Sequence, residues 1–194
     1  MDKTILRNFA VYSRNKLIQD IKNKGKGIHF YYGFGNSPFG KCFMVYSERG
    51  ISCLQFTDML TDNCLCKLQK KLSSATFIEN NNNIQIIVNK VFSLKNKHCF
   101  ELWIEGTSFQ IKVWQTLLQV PYGQLISYES LAQQAGYPQA VRAVASAVAR
   151  NPVAYLVPCH RIVRKNGDIG NYRWGKETKE AIIKWENKIL NIDI

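Results

Sequence analysis

The stretch Ser127–Arg150, SYESLAQQAG–YP–QAVRAVASAVAR, decides the fold of the second half of this chain. Ser127 is a typical helix cap, and Gly136 ends the first helical pattern. The pair Tyr137-Pro138 then breaks the pattern before a second helix begins at Gln139. Two short helices joined by a tight turn form the helix-turn-helix of many DNA-binding proteins. The spacing therefore predicts a helix-turn-helix over residues 127–150.

The second of these helices is rich in small side chains, with six alanines or serines between Ala140 and Ala149 flanking Arg142. Large side chains usually fill helix interfaces, so a helix this slim indicates close approach to a neighbour. The neighbour is either another helix or the floor of a DNA groove.

Pro158-Cys159-His160-Arg161 follows within ten residues of that helix. Cysteine reacts as the thiolate, and a histidine base or positive surroundings lower its pKa. A carboxylate should then orient the imidazole, as in other sites that join a nucleophile, a base and an orienting group. Four acidic residues lie near in sequence, and spacing alone does not choose among them: Asp168, Glu177, Glu180 and Glu186.

Ordinary structural roles compete with each of these assignments. A single cysteine after proline is often a buried small hydrophobe, and Asn151 before Pro152 is a common turn former. Glu180 lies four residues from both Lys176 and Lys184, where solvated ion pairs are typical. Arg142 and Tyr128 also suit a solvated face and a packed helix start.

Composition favours a globular protein with a nucleic-acid partner. The 194 residues include 46% hydrophobic and 12% aromatic residues, which is ordinary for one large or two small domains. The formal net charge of +12 attracts phosphate by electrostatic steering and counterion release. We find no apolar run long enough to span a membrane and no signal peptide. The expected compartment is intracellular: the cytoplasm of a prokaryote or the nucleus of a eukaryote.

The N-terminal half predicts a small sheet. Three strands separated by turns are expected first, at Ile28–Phe34, Gly40–Ser47 and Ile51–Thr57, and the last two form a hairpin. A helix is expected over Asp62–Leu72. Two further extended segments are expected at Ile84–Phe92 and Phe100–Ile104. A linker is predicted near Glu105-Gly106. Beyond it, Thr107 and Gln110 have the spacing of a capping box at the start of a helix.

Two features of the N-terminal half leave alternatives open. The basic residues 1–27 fit a short amphipathic helix or a mitochondrial transit peptide, although Asp2 and Asp20 count against the latter. Six cysteines without a signal peptide indicate a reducing compartment rather than a disulfide framework. Cys42, Cys53 and Cys99 lie among apolar residues and are expected to be buried. A metal site built from Cys64 and Cys66 with His29 or His98 is the weaker alternative.

At these residues the sequence resembles the O6-alkylguanine-DNA alkyltransferases, also called methylated-DNA–protein-cysteine methyltransferases, in their bacterial form. The resemblance runs from about Ile28 to Glu186. Its motifs are Ser37-Pro38-Phe39-Gly40, Glu48-Arg49-Gly50-Ile51, Pro121-Tyr122-Gly123, Asn151-Pro152, Pro158-Cys159-His160-Arg161-Ile162-Val163 and Gly170-Asn171-Tyr172-Arg173-Trp174-Gly175.

The resemblance implies an α/β N-terminal domain with a small, mainly antiparallel, ribonuclease-H-like sheet over residues 28–98. It implies a helical, winged helix-turn-helix-like C-terminal domain over residues 99–194 that binds DNA and accepts the alkyl group. Residues 1–27 lie outside the match. The implied reaction transfers an alkyl group from O6 of guanine, and by extension O4 of thymine, to Cys159 in a single turnover. It needs no cofactor and no metal, and the protein acts as a monomer on the minor groove of double-stranded DNA.

The resemblance also implies a role for each matching residue. Glu180 orients His160, which deprotonates Cys159 through a water, and Asn151 braces the turn. Tyr128 helps turn the nucleotide out and donates a proton or a hydrogen bond to the departing guanine. Arg142 fills the space left in the duplex. In the substrate pocket, the carbonyls of Cys159 and Ile162 read the guanine amino group, Tyr172 lies in the motif, and the amide of Arg173 faces O6.

Three other functions are consistent with parts of the sequence. An alkylation-damage sensor would bind the lesion without repairing it, but sensors that resemble this family carry tryptophan at the position of Cys159. A transcriptional regulator would use the helix-turn-helix alone and leave the Pro-Cys-His-Arg turn unexplained. A thiol hydrolase would turn over small acyl substrates without DNA.

Overall fold

The computed structural model of the chain describes residues 22–57, 64–93 and 98–190. Most of the predicted basic extension, residues 1–21, lies outside the described residues, as do the residues after Leu190. The chain divides into two compact units between Glu105 and Gly106, at the predicted linker. This division comes later in the chain than the expected boundary after residue 98, because Leu102 pairs with Ile51 and Trp103 joins the core of the first unit.

The first unit is built on a four-stranded sheet of order β3–β2–β1–β4. Its strands are β1 His29–Ser37, β2 Gly40–Ser47, β3 Gly50–Phe56 and β4 Thr76–Glu79. The first three are antiparallel, and β4 pairs in parallel with β1. This arrangement confirms the three predicted strands and the β2–β3 hairpin, whereas β4 was not predicted.

Two helices flank β4 in sequence: α1, Cys64–Lys71, precedes it and α2, Asn81–Val91, follows it. The extended segment predicted over 84–92 is wrong, because Asn80 caps a helix there and its Ile84 and Val88 are buried one turn apart. Helix α2 packs on β1 where Gly35 leaves room: a Cβ on Gly35 would lie 3.0 Å from the Val88 Cγ2 atom. The other extended prediction, over 100–104, contains only the single bridge at Leu102.

The second unit contains four helices among its described residues. They are α3 Ser108–Leu117, α4 Tyr128–Gln134, α5 Val141–Ala149 and α6 Lys176–Leu190. The Thr107–Gln110 capping box is present with both of its hydrogen bonds. Ser127 caps α4, and Gly136 follows that helix with φ +83°, a conformation that glycine adopts without strain. The predicted helix-turn-helix is therefore confirmed.

A short parallel ladder positions the rest of this unit. Strand β5, Ile126–Ser127, pairs with β6, Ile162–Val163. Because β5 leads directly into α4 and β6 directly follows the turn Cys159–Arg161, this ladder brings the start of α4 beside that turn. The indole of Trp114 on α3 donates to the Ala147 carbonyl on α5 at 2.9 Å, which ties the helices together. Within the described residues, no helix is long and apolar enough to cross a membrane.

Candidate active site around Cys159

Cys159 begins a single 3-10 turn whose three residues are all buried, and its side chain is 4% exposed. Asn151 holds this turn in place. Its amide donates to the Val157 carbonyl at 2.9 Å and to the Cys159 sulfur at 3.1 Å. The amide oxygen accepts from the Val153 backbone at 2.9 Å, so the side chain clamps both ends of the loop.

The sulfur faces a cavity of about 370 Å³. Eight residues line it: Tyr128, Val148, Ala149, Cys159, Asn171, Tyr172, Arg173 and Trp174. Three predicted residues, Tyr128, Tyr172 and Arg173, are thus brought to one cavity with the cysteine. Ile162 is fully buried and does not line the cavity, and Arg142 is exposed on α5.

His160 follows the cysteine in the same turn and pairs with a buried carboxylate. The imidazole is fully buried, and its Nε2 lies 2.9 Å from Glu186 Oε1. Arg161 donates to both oxygens of the same carboxylate, and the Gly123 amide donates to Oε2 at 3.1 Å. The Arg161 guanidinium also donates to the Val120 carbonyl at 2.7 Å, so each of its three nitrogens makes a hydrogen bond.

The carboxylate expected at this position, Glu180, is the wrong one. Lys179, Ile182, Ile183 and Glu186 recur at helical spacing and form the buried stripe of α6. Glu180 follows Lys179 by one residue, about 100° around the helix, and faces solvent. Its side chain is 37% exposed and lies 4.0 Å from Lys176.

The protonation states follow from these contacts. Burial alone would raise the pKa of Glu186, but the hydrogen bonds from His160 and Arg161 lower it to about 2. The carboxylate is therefore ionised and can only accept, so Nε2 of His160 carries the proton. Burial lowers the pKa of His160, which keeps the imidazole neutral with Nδ1 as its acceptor. Nδ1 is buried and makes no hydrogen bond to the described residues.

The environment of Cys159 favours the protonated thiol over the thiolate. Burial raises the pKa of Cys159, while the Asn151 amide, the Tyr172 hydroxyl and the charge of Lys179 act in the opposite direction. The Tyr172 hydroxyl is buried, and its own pKa is raised by burial and by the neighbouring sulfur. Burial also raises the pKa of Tyr128, so this phenol keeps its proton at neutral pH.

Sequence reasoning missed a buried lysine in this site. Lys179 is 1% exposed, and its ammonium donates to the carbonyls of Ile162 at 2.6 Å and Ile169 at 2.5 Å. Burial lowers its pKa to about 8. The helical stripe Lys179–Ile182–Ile183–Glu186 is the signal by which both Lys179 and Glu186 were identifiable.

Among the described residues, no group of three cysteine, histidine or acidic side chains is arranged to hold a metal ion. Cys42 and Cys53 are buried as predicted, whereas the prediction of a buried Cys99 is wrong, because its side chain is exposed. Cys66 is also an exposed free thiol, and the side chain of Cys64 lies outside the described residues.

Comparison with known proteins points to one family. Residues 108–188 match the family described as 6-O-methylguanine DNA methyltransferase, DNA binding domain. A methylated-DNA–protein-cysteine methyltransferase of Methanosarcina barkeri is 34% identical over 166 residues, which is 82% of this chain and 99% of that protein. The Escherichia coli bifunctional transcriptional activator/DNA repair enzyme Ada is 34% identical over 172 residues, 87% of this chain.

The chain spans about half the length of its Escherichia coli and Salmonella typhimurium relatives, 48% of each. Among solved structures, Mycobacterium tuberculosis OGT in complex with DNA superimposes with a TM-score of 0.66 and 28% identity. That match covers 83% of this chain and 94% of the other.

Proposed function

Because this chain belongs to the methylated-DNA–protein-cysteine methyltransferase family, we propose that it repairs O6-alkylguanine in double-stranded DNA by moving the alkyl group to Cys159. The observation that carries the proposal is the cysteine itself. It lies at a cavity with a neutral histidine next to it in sequence, and that histidine is oriented by an ionised carboxylate.

The proton on the thiol leaves first. Nδ1 of His160 is the free acceptor of the neutral imidazole, and a bridging water relays the thiol proton to it. Glu186 stabilises the imidazolium that results, since it already accepts from Nε2. The Asn151 amide donates to the sulfur and stabilises the thiolate.

The thiolate then attacks the alkyl carbon in line with the bond to O6. One carbon–sulfur bond forms, the carbon–oxygen bond breaks, and guanine leaves with the electron pair. Tyr128, a protonated phenol lining the same cavity, donates a proton or a hydrogen bond to the departing base. The thioether that remains has no route back to the thiol, so each molecule reacts once.

A base stacked in a duplex cannot present its O6 substituent for this attack, so the nucleotide must be flipped into the cavity. The surface of α5 is suited to assist. Its exposed residues are Arg142, Ala143, Ser146 and Ala149, and the exposed Arg150 follows at the end of the helix. The minor groove is only ~6 Å wide, and small side chains let a helix approach its floor. Arg142 occupies the space vacated by the flipped nucleotide, and the net charge of +12 favours the phosphates.

The test is the intact mass of the protein after incubation with duplex DNA carrying one O6-methylguanine. We expect one methyl group per protein molecule, absent in C159A and retained in C99A, a control that removes an exposed thiol instead. Proteolytic mapping should place the methyl on Cys159. Tight lesion binding without any gain in mass would instead indicate an alkylation-damage sensor. The absence of both would leave a basic helix-turn-helix protein.

A further inference from the structure

Tyr155 lies in the loop between Asn151 and Cys159 with φ +64°. This left-handed conformation favours glycine and, to a lesser degree, asparagine, and a tyrosine adopts it only when its surroundings impose it. Only one other non-glycine residue of the described ranges, Lys24, has a positive φ. A strained residue four positions before the nucleophile therefore calls for a reason in its contacts.

The side chain of Tyr155 lies against the proposed base. Its ring stacks on the His160 imidazole with centroids 5.8 Å apart and planes 10° apart. Its hydroxyl hydrogen-bonds with that of Tyr122. The Tyr122 ring in turn lies 5.1 Å from the Arg161 guanidinium.

These contacts close a circuit around the imidazole. Arg161 binds Glu186, Glu186 binds His160, and His160 stacks on Tyr155, which returns through Tyr122 to Arg161. The hydrogen bond to Glu186 fixes one ring atom of His160 but leaves the plane of the ring free to rock about it. A parallel aromatic face removes that freedom.

We propose that Tyr155 is a positioning residue for the alkyl transfer: its left-handed backbone presents the ring that fixes the plane of His160 and shields one face of the imidazole from water. The assignment rests on the proposed function, in which His160 is the base. The strain at Tyr155 is then part of the site, because an unstrained backbone would direct the ring elsewhere.

The role has a consequence for the protonation of His160. Burial is the largest influence lowering its pKa, and the Tyr155 ring supplies part of that burial. The charged groups that act on the imidazole are Glu186, which favours its protonation, and Arg161 and Lys179, which oppose it. All three charged groups remain when the ring is removed, so water entering at the vacated face raises the pKa of His160 towards its ordinary 6.5.

The experiment compares Y155N, Y155F and V113A. Asparagine tolerates the positive φ but lacks the ring, and phenylalanine keeps the ring but loses the hydroxyl. V113A removes buried volume elsewhere in the same unit and controls for stability. The first readout is the NMR titration of the His160 ring nitrogens in the free protein. The second is the single-turnover rate of methyl transfer between about pH 5 and 8, the range in which histidine titrates.

We expect Y155N to raise the pKa of His160 and to move the acid limb of the pH–rate profile to higher pH. At pH 7 its rate should fall about tenfold, a part of the roughly 10²- to 10⁴-fold that a well-placed base supplies. Y155F should retain the wild-type pKa of His160 and the wild-type pH–rate profile. V113A should leave the shape of the profile unchanged.

A Y155N protein with the wild-type titration and profile would overturn the proposal. So would a Y155F protein as impaired as Y155N, because the hydroxyl and not the ring would then be responsible. If wild type transfers no methyl group, the proposed function fails, and the NMR titration of the free protein still decides whether Tyr155 controls His160.

Discussion

Replacing Glu186 by glutamine tests the charge balance of the site most directly. The folded pKa of this carboxyl is about 2, against an ordinary value of 4.5. At about 1.4 kcal/mol for each tenfold change in proton affinity, the ionised carboxylate contributes about 3 kcal/mol to stability at neutral pH. E186Q also leaves the buried Arg161 cation without its counter-charge, and breaking such a pair typically costs about 3–5 kcal/mol. We therefore expect E186Q to lose roughly 3 kcal/mol in free energy of unfolding.

The sign of the pH dependence follows from the lowered pKa. Because the folded pKa is below the unfolded one, the stabilisation is fully present above pH 4.5 and is lost as the pH falls towards 2. Urea denaturation of wild type and E186Q, followed by the fluorescence of tryptophans such as the buried Trp114, should give curves that separate at pH 7 and converge in acid. A separation that does not change with pH would contradict the assignment of the ionised carboxylate to Glu186.

E180Q is the matched control, since it makes the same change on the same helix at an exposed position. Its i,i+4 pair with Lys176 is worth at most about 0.5 kcal/mol. The methyl-transfer rate should follow the same division: roughly 10²-fold slower or more in E186Q, because the base loses its orienting carboxylate, and unchanged in E180Q. If E180Q were as unstable or as slow as E186Q, the identification of Glu186 as the partner of His160 would be refuted.

Three further outcomes are expected. N151A should lower the free energy of unfolding by about 2–3 kcal/mol in urea denaturation, because two loop carbonyls and a backbone amide lose their buried partner; an unchanged midpoint would show that the loop does not need the clamp. Iodoacetamide should label exposed Cys99 before buried Cys159, whose pKa is raised by burial, as peptide mapping would reveal; prior labelling of Cys159 would contradict its burial. K179M should be more stable relative to wild type at pH 7 than at pH 10. The pKa of Lys179 is about 8 in the fold and 10.5 ordinarily, so above pH 8 the buried lysine loses its charge and the wild-type fold gains stability. A stability difference independent of pH would mean that Lys179 titrates normally.

The elements that sequence reasoning predicted correctly are those whose signals are local. The Thr107–Gln110 capping box and the Ser127 cap are interactions between residues three apart, so they are legible without knowledge of the fold. The strand predicted over Ile84–Phe92 is wrong because a weak local preference was followed. Its β-branched residues favour a strand, but the Asn80 cap and the burial of Ile84 and Val88 one turn apart outweigh that weak preference.

The sequence named the proposed nucleophile and the proposed base, but it did not identify the carboxylate that contacts His160. Cys159 and His160 are adjacent, whereas Glu186 is 26 residues from His160 and reaches it only through the packing of α6. A motif compared position by position does not report which face of that helix is buried. The apolar residues Ile182 and Ile183 do report it, and they place Glu186 with Lys179 on the inner face and Glu180 outside.

The burial of Cys159 also explains how the thiol stays unreacted until a substrate enters the cavity. A protein whose nucleophile is consumed in one turnover loses its function to any stray electrophile that reaches the sulfur. Burial raises the pKa of Cys159 and leaves it 4% exposed, so the free protein holds mainly the unreactive thiol. His160 is already neutral and oriented by Glu186, and in the proposed reaction a flipped nucleotide brings the electrophile into the cavity that Cys159 lines. Selectivity then comes from access rather than from a permanently activated cysteine. On this argument, variants that open the cavity should gain reactivity towards iodoacetamide at Cys159 while losing their preference for O6-methylguanine in duplex DNA.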